Sequence, residues 1–217
     1  MRIQRGSAPG SGRPRRRSPL PLAGLRVGFL AQAEVEELHL WVPWYRLQEE
    51  GATCLVIADD EPKTYLGAHG LTVAVDEASW AVDPDAFAGF VIPGGFAPDY
   101  VRRTPSTRSI VRYGYLRGKV VAAIERGAWV LISAGILKDR AVAAPPALWD
   151  DLRNAGARVT DEDVVVDGNL ITGRDTAALP AFCRALVAAL VKAAAAPPAR
   201  RQRGPRAPRG GTGPWRG

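Results

Sequence analysis

The sequence predicts an α/β fold, a doubly wound and mostly parallel sheet sandwiched by helices in a single domain. Three observations predict it. Short apolar runs of strand length alternate with segments whose apolar residues recur at helical spacing. Two of those runs end abruptly in loops, after Ile92 and after Ile124. The 217 residues, 47% hydrophobic and 24% charged, suffice for one buried core. Strands that alternate with helices are covered on both faces, and their sites form at the carboxyl ends of the strands.

The elements follow in order. Residues 25–30 form a short apolar run, the first strand. A helix spans 35–50, with Leu40, Trp44 and Leu47 at helical spacing and Gly51 as its stop. Residues 53–58 are the second strand, and 71–75 alternate as a half-exposed one. Phe90-Val91-Ile92 runs into Pro93-Gly94-Gly95, a strand ending in a tight loop. A polar helix at 106–117 precedes the apolar strand 119–124, and a helix at 128–137 follows it almost at once. Residues 147–155 are helical and close at Gly156. Val164-Val165-Val166 and Leu170-Ile171-Thr172 flank Asp167-Gly168-Asn169, a hairpin signal. Phe182, Ala185, Leu186, Ala189 and Leu190 are the apolar face of a closing helix.

The formal charge of +7 suggests an affinity for polyanions until it is located. Residues 1–23 and 193–217 hold six Arg each and no acid. Without those twelve, 17 basic residues face all 22 acidic ones, so the domain between the tails, 24–192, is about −5. Both tails read as disordered Arg/Pro/Gly-rich extensions, or, for the first, as a start codon placed too early. Such arms hold nucleic acid by counterion release, a weaker alternative. No stretch has the length of uncharged apolar sequence a membrane span needs, and residues 20–25 are too short for a signal peptide. Cys54 and Cys183 lack metal spacing and read as buried free thiols of a cytoplasmic protein. No cofactor and no metal are expected.

Six stretches stand out in order: Pro43-Trp44-Tyr45-Arg46-Leu47-Gln48-Glu49-Glu50-Gly51, Gly67-Ala68-His69-Gly70, Ile92-Pro93-Gly94-Gly95-Phe96-Ala97-Pro98-Asp99, residues 131–138, residues 150–157 and residues 165–172. Together they resemble the DJ-1/PfpI family of the class I glutamine-amidotransferase-like superfamily, most of all its PfpI-type intracellular proteases. The resemblance implies a flavodoxin-like fold, a homo-oligomer, and a nucleophile elbow that normally reads Ala-Ile-Cys-His-Gly. Here that turn reads Ala123-Ile124-Glu125-Arg126-Gly127. Glu125 stands where the resemblance places the nucleophile, and Arg126 where it places a histidine. The family's glutamate four residues before the helix proline corresponds to His39; a one-residue gap would move it to Glu36 or Glu37. The thiol chemistry of cysteine proteases, deglycases and amidotransferases is therefore not expected.

Two readings of the altered elbow follow. In one, Glu125, His39 and Arg126 form a satisfied polar cluster in a pseudoenzyme with a non-catalytic or regulatory role. In the other, Glu125 and His39 lie within hydrogen-bond reach and work as an acid–base pair of hydratase, lyase or isomerase type on a small molecule. There Gly94, Gly95 and Gly127 line the pocket, and the first two offer N–H groups to a developing oxyanion. His69 reads as a pocket or interface histidine, or as a turn residue donating to backbone between its flanking glycines. Trp41, Trp44 and Tyr45 mark either a subunit contact or core. Asp150-Asp151 reads as the start of a helix rather than a metal site.

Overall fold

The structure is a computed structural model that describes residues 20–59 and 63–195. The chain runs β1 (Arg26–Leu30), α1 (Glu37–Glu49), β2 (Thr53–Ala58), β3 (Thr64–Leu66), β4 (Thr72–Ala74) and β5 (Glu77–Ala78). It continues through β6 (Gly89–Ile92), α2 (Ala97–Arg103), α3 (Pro105–Leu116), β7 (Val120–Ile124) and α4 (Ala128–Ala134). Then come β8 (Ala141–Ala143), α5 (Trp149–Asn154), β9 (Arg158–Thr160), β10 (Val164–Asp167), β11 (Leu170–Gly173) and α6 (Leu179–Ala195).

Seven strands form the main sheet in the order β10-β11-β7-β6-β1-β2-β5. Every pairing is parallel except β10 with β11, the hairpin expected around Gly168. Strands β6 and β7 are buried along their whole length, because helices cover both faces. One core layer sets α1 and α6 against the sheet through Leu40, Leu47, Phe182, Leu186 and Leu190. The other sets α3 and α4 against it through Ile110, Val111, Val130 and Leu131. This is the doubly wound α/β sandwich that the alternation of elements predicts.

Some elements depart from expectation. Helix α2 is an addition; Pro98 at its first turn and Asp99 beside its positive end were the available signals. The helix expected at 128–137 ends at Ala134, where Gly135 takes the left-handed conformation (φ 66°) that caps it. Asp150 and Asp151 do lie in the first turn of α5. The tail expected at 1–23 gives up its last residues: Leu22 is fully buried, and its N–H donates to the Glu50 carbonyl at 2.9 Å. The remainder of both tails falls outside the described residues, apart from the last turn of α6. The segment Thr176–Ala195 is long and apolar enough to cross a membrane, with a mean hydropathy of 1.6. It carries Arg184 and Lys192, however, and buries Leu179, Phe182, Cys183, Leu186 and Leu190 in the domain's own core.

Candidate functional site

The site lies where β6 and β7 end. The chain leaves β7 through a single turn of tight helix, Glu125–Gly127, and enters α4 at once. That reversal forces Glu125 to φ 55°, the left-handed region that costs a side-chain-bearing residue roughly 1–2 kcal/mol. The elbow also presses on the end of β6. A Cβ at Gly127 would sit 2.4 Å from the Ile92 carbonyl oxygen, so only glycine fits. Glu125 thus occupies the sharp bend that the sequence assigned to it.

Its carboxylate is held from both sides. The Gly95 N–H donates to Oε2 at 2.8 Å. The Arg126 Nε stands 3.6 Å from Oε1, with its guanidinium 4.5 Å above the Phe96 ring. A stacked guanidinium gains cation–π attraction and is held over the carboxylate. Gly94 packs directly on this group: a Cβ there would lie 2.2 Å from Glu125 Oε2 and 2.6 Å from His39 Nδ1.

Glu125, Arg126, Gly94 and Gly95 therefore converge with His39, which is 2% exposed on α1. The expected hydrogen bond between His39 and Glu125 is not made: Nδ1 is 4.0 Å from Oε2 and has no other partner. The imidazole is instead anchored at its far nitrogen, with Nε2 at 2.9 Å from Thr176 Oγ1. Thr176 was missed at sequence level; it lies just after β11, and no local pattern ties it to a residue 137 positions away. Burial pushes the His39 imidazole below its ordinary value, against an upward pull from Glu125, Glu36 and Asp175.

Glu36 and Glu37, the alternatives to His39, face elsewhere. Glu36 caps α1, accepting the Leu38 N–H at 3.3 Å. Glu37, 4% exposed, accepts the His69 and Leu71 N–H groups at Oε1 (2.7 and 3.3 Å) and His69 Nδ1 at Oε2 (2.7 Å). Burial works to raise the Glu37 carboxyl, but the His69 ring and the backbone donors outweigh it and hold it low. Its hydrogen bond to Glu37 raises His69. His69 is indeed a turn residue, but its donors go to a side chain rather than to backbone, and it stays outside the elbow cluster.

Both thiols lie away from the elbow. Cys54 on β2 and Cys183 on α6 are buried, and burial pushes them to about 12 and about 11. An open groove of about 690 Å³ runs beside the site, between Glu34, Tyr65, Leu66 and Phe96. Glu125 and His39 are not part of its lining. The dense aromatic run of α1 divides: Trp44 stacks on Phe29 (5.1 Å) against the core, while Tyr45 is 64% exposed.

Comparison with known proteins fits this geometry. Deglycase PH1704 of Pyrococcus horikoshii is 42% identical over 163 residues, which cover 75% of this chain and 98% of the relative. Deglycase PfpI of Pyrococcus furiosus is 40% identical with the same coverage. Among solved structures, a two-domain protein from Anabaena variabilis containing DJ-1/ThiJ/PfpI-like and ferritin-like domains matches at 35% identity and a TM-score of 0.74. That match covers 76% of this chain but only 49% of the other. A variant of a DJ-1 superfamily protein from Salmonella typhimurium matches at 25% identity and a TM-score of 0.71, over 77% of this chain and 91% of that one. With residues 25–189 matching the profile of the DJ-1/PfpI family, this chain belongs to that family.

Proposed function

We propose that this chain is a non-catalytic, regulatory member of the DJ-1/PfpI family, whose elbow is closed by its own carboxylate. One observation carries the reading. The Gly95 N–H, the donor best placed to stabilise an oxyanion, is already satisfied by Glu125 Oε2 at 2.8 Å. Arg126 closes the other side of that carboxylate, and His39 stands too far from it to exchange a proton directly. Glu125 is at the position where the family resemblance expects cysteine, so the covalent thiol chemistry that the resemblance implies lacks its cysteine at this elbow. The function then rests on association, as a homo-oligomer to which the exposed Tyr45 side of α1 contributes, in the cytoplasm that two unpaired thiols suit.

The test is a panel of reactive carbonyl, enoyl and isonitrile compounds, run on wild type and Glu125→Gln. Neither protein should exceed the rate without protein. A second reading is favoured by one feature, the partnerless Nδ1 of His39 aimed at Glu125. If a small substrate bridges that gap, the pair transfers protons as a hydratase, lyase or isomerase. Turnover by wild type that Glu125→Gln abolishes would establish this reading and dismiss the first. Turnover that survives Glu125→Gln would dismiss both.

A further inference from the structure

The folded domain is acidic overall, yet its charge is not evenly spread. Residues 96–135 carry seven basic and two acidic side chains, while the rest of the chain between the tails is strongly acidic. In a domain with surplus carboxylates an arginine finds a partner easily. Among the described residues, five of the seven arginines outside that segment have one: Arg26 with Glu77, Arg46 with Glu50, Arg140 with Asp167, Arg153 with Asp150 and Arg174 with Asp161. Arg102, Arg108 and Arg112 form no ion pair with a carboxylate among the described residues, and these three converge between α2, α3 and α4.

They meet at a depression of about 400 Å³ lined by Arg108, Ser109, Arg112 and Ser133. Arg102 borders it, giving its Nε–H to Ser133 Oγ at 3.0 Å. Arg112 uses one nitrogen on the Ala134 carbonyl at 3.2 Å, closing the end of α4, and keeps its remaining N–H groups for the depression. The Arg108 side chain makes no hydrogen bond or ion pair with the described residues. The first turn of α3, twelve residues long, opens onto the same space with the positive end of its dipole. Past Arg102 a second depression of about 320 Å³ is lined by Trp129, Ile132, Asp151 and Asn154, with the Arg102 guanidinium 5.6 Å from the Trp129 ring and the Trp129 indole N–H donating to Asp151 Oδ2 at 3.0 Å.

We propose that this α2–α3–α4 pocket binds a phosphate monoester of a small planar molecule. The phosphate sits between Arg108 and Arg112 on the Ser133 hydroxyl, the Ser109 hydroxyl being already given to the Pro105 carbonyl at 2.9 Å, and the ring lies toward Trp129. Two guanidinium groups and a hydroxyl surround a tetrahedral dianion better than a flat carboxylate, which one bidentate arginine satisfies. The two depressions, about 400 and 320 Å³, are each of small-molecule size. The pocket is separate from the elbow, so the inference stands whether or not Glu125 is catalytic.

Isothermal titration of the full chain with phenyl phosphate, and with benzoate as the carboxylate counterpart, tests it. One phenyl phosphate per chain should bind saturably, and benzoate far more weakly. Arg108→Gln should weaken phenyl phosphate about tenfold, the loss of one charge-assisted hydrogen bond. Because the half-buried Arg108 side chain makes no hydrogen bond or ion pair with the described residues, Arg108→Gln should keep its structure, which an unchanged unfolding midpoint checks. Arg153→Gln, on the outer face of α5, should bind as wild type does. The proposal is overturned by absence of saturable binding at millimolar phenyl phosphate, or by benzoate binding equally well. It is overturned too by Arg108→Gln matching wild type, which would assign the anion to the Arg-rich tails, or by Arg153→Gln losing as much as Arg108→Gln.

Discussion

Helix α1 begins between two carboxylate–imidazole pairs that are built in opposite senses. In one the acid is buried and the base is outside: Glu37 is 4% exposed, His69 lies largely in solvent, and they meet at 2.7 Å. In the other the base is buried and the acid is nearer the surface: His39 is 2% exposed, and Glu125 stands 4.0 Å away. The buried acid is surrounded by donors, two backbone N–H groups and the His69 ring. The buried base has one partner, Thr176, and an empty nitrogen. Burial of a charge is tolerable only when hydrogen bonds replace water, so Glu37 is held as an anion and His39 is pressed toward neutrality. The first pair is a structural clasp between α1 and the β3–β4 turn; the second is a polar contact held in place by the elbow.

The largest effect should come from Gly94→Ala, which strikes the second pair alone. Its new methyl would meet Glu125 Oε2 at 2.2 Å and His39 Nδ1 at 2.6 Å. Overpacking a site bounded by a strained elbow should cost about 3 kcal/mol, read as a lowered urea midpoint. The cost should be smaller when Glu125→Gly is introduced as well, since that removes one of the two obstructions. A double variant no more stable than Gly94→Ala would mean that the Glu125 side chain does not fill the pocket.

The difference between the pairs also marks what the sequence makes legible. The loops that carry Glu125, Arg126 and Gly94-Gly95 are set by short-range signals, a strand followed immediately by a helix and a strand followed by Pro-Gly-Gly. The weight placed on Glu125, and on His39 four residues before Pro43, comes from the family resemblance. These residues come together as the strand order requires. The clasp was not legible, because Glu37 and His69 are 32 residues apart and nothing local couples a helix start to a hairpin turn. Thr176 stayed hidden for the same reason. The 4.0 Å gap between His39 and Glu125 was beyond sequence reasoning too, since it depends on the Gly95 N–H capturing Oε2 and the far nitrogen of His39 being tethered.

Glu37→Ala strikes the first pair and should come next. It leaves the His69 and Leu71 N–H groups without their acceptor and opens space beside Gly67, whose Cα packs on that carboxylate. The expected loss is about 2 kcal/mol, measured by chemical unfolding at neutral pH. His69→Gln, by contrast, should leave the unfolding midpoint near that of the wild type, since exposed ion pairs contribute little. Equal losses in the two variants would show that the salt bridge, not the backbone donors, holds the clasp.

The smallest effect is the most diagnostic, because the two imidazoles should drive stability in opposite directions with pH. His69 is raised above its ordinary 6.5 by the hydrogen bond to Glu37, so its contribution is complete below that value and is lost as pH rises through its folded pKa. His39 is lowered from 6.5 by burial, so the unfolded chain takes up a proton first. Its effect is a stability that declines as pH falls below that value toward the folded pKa. Unfolding midpoints measured between about pH 5 and 8 should show His39→Gln flattening the acid side only and His69→Gln the alkaline side only. An unchanged acid limb in His39→Gln would mean that His39 is protonated in the folded state after all. The imidazolium would then be paired with Glu125 at closer range than 4.0 Å, and the two pairs on α1 would be electrostatically alike.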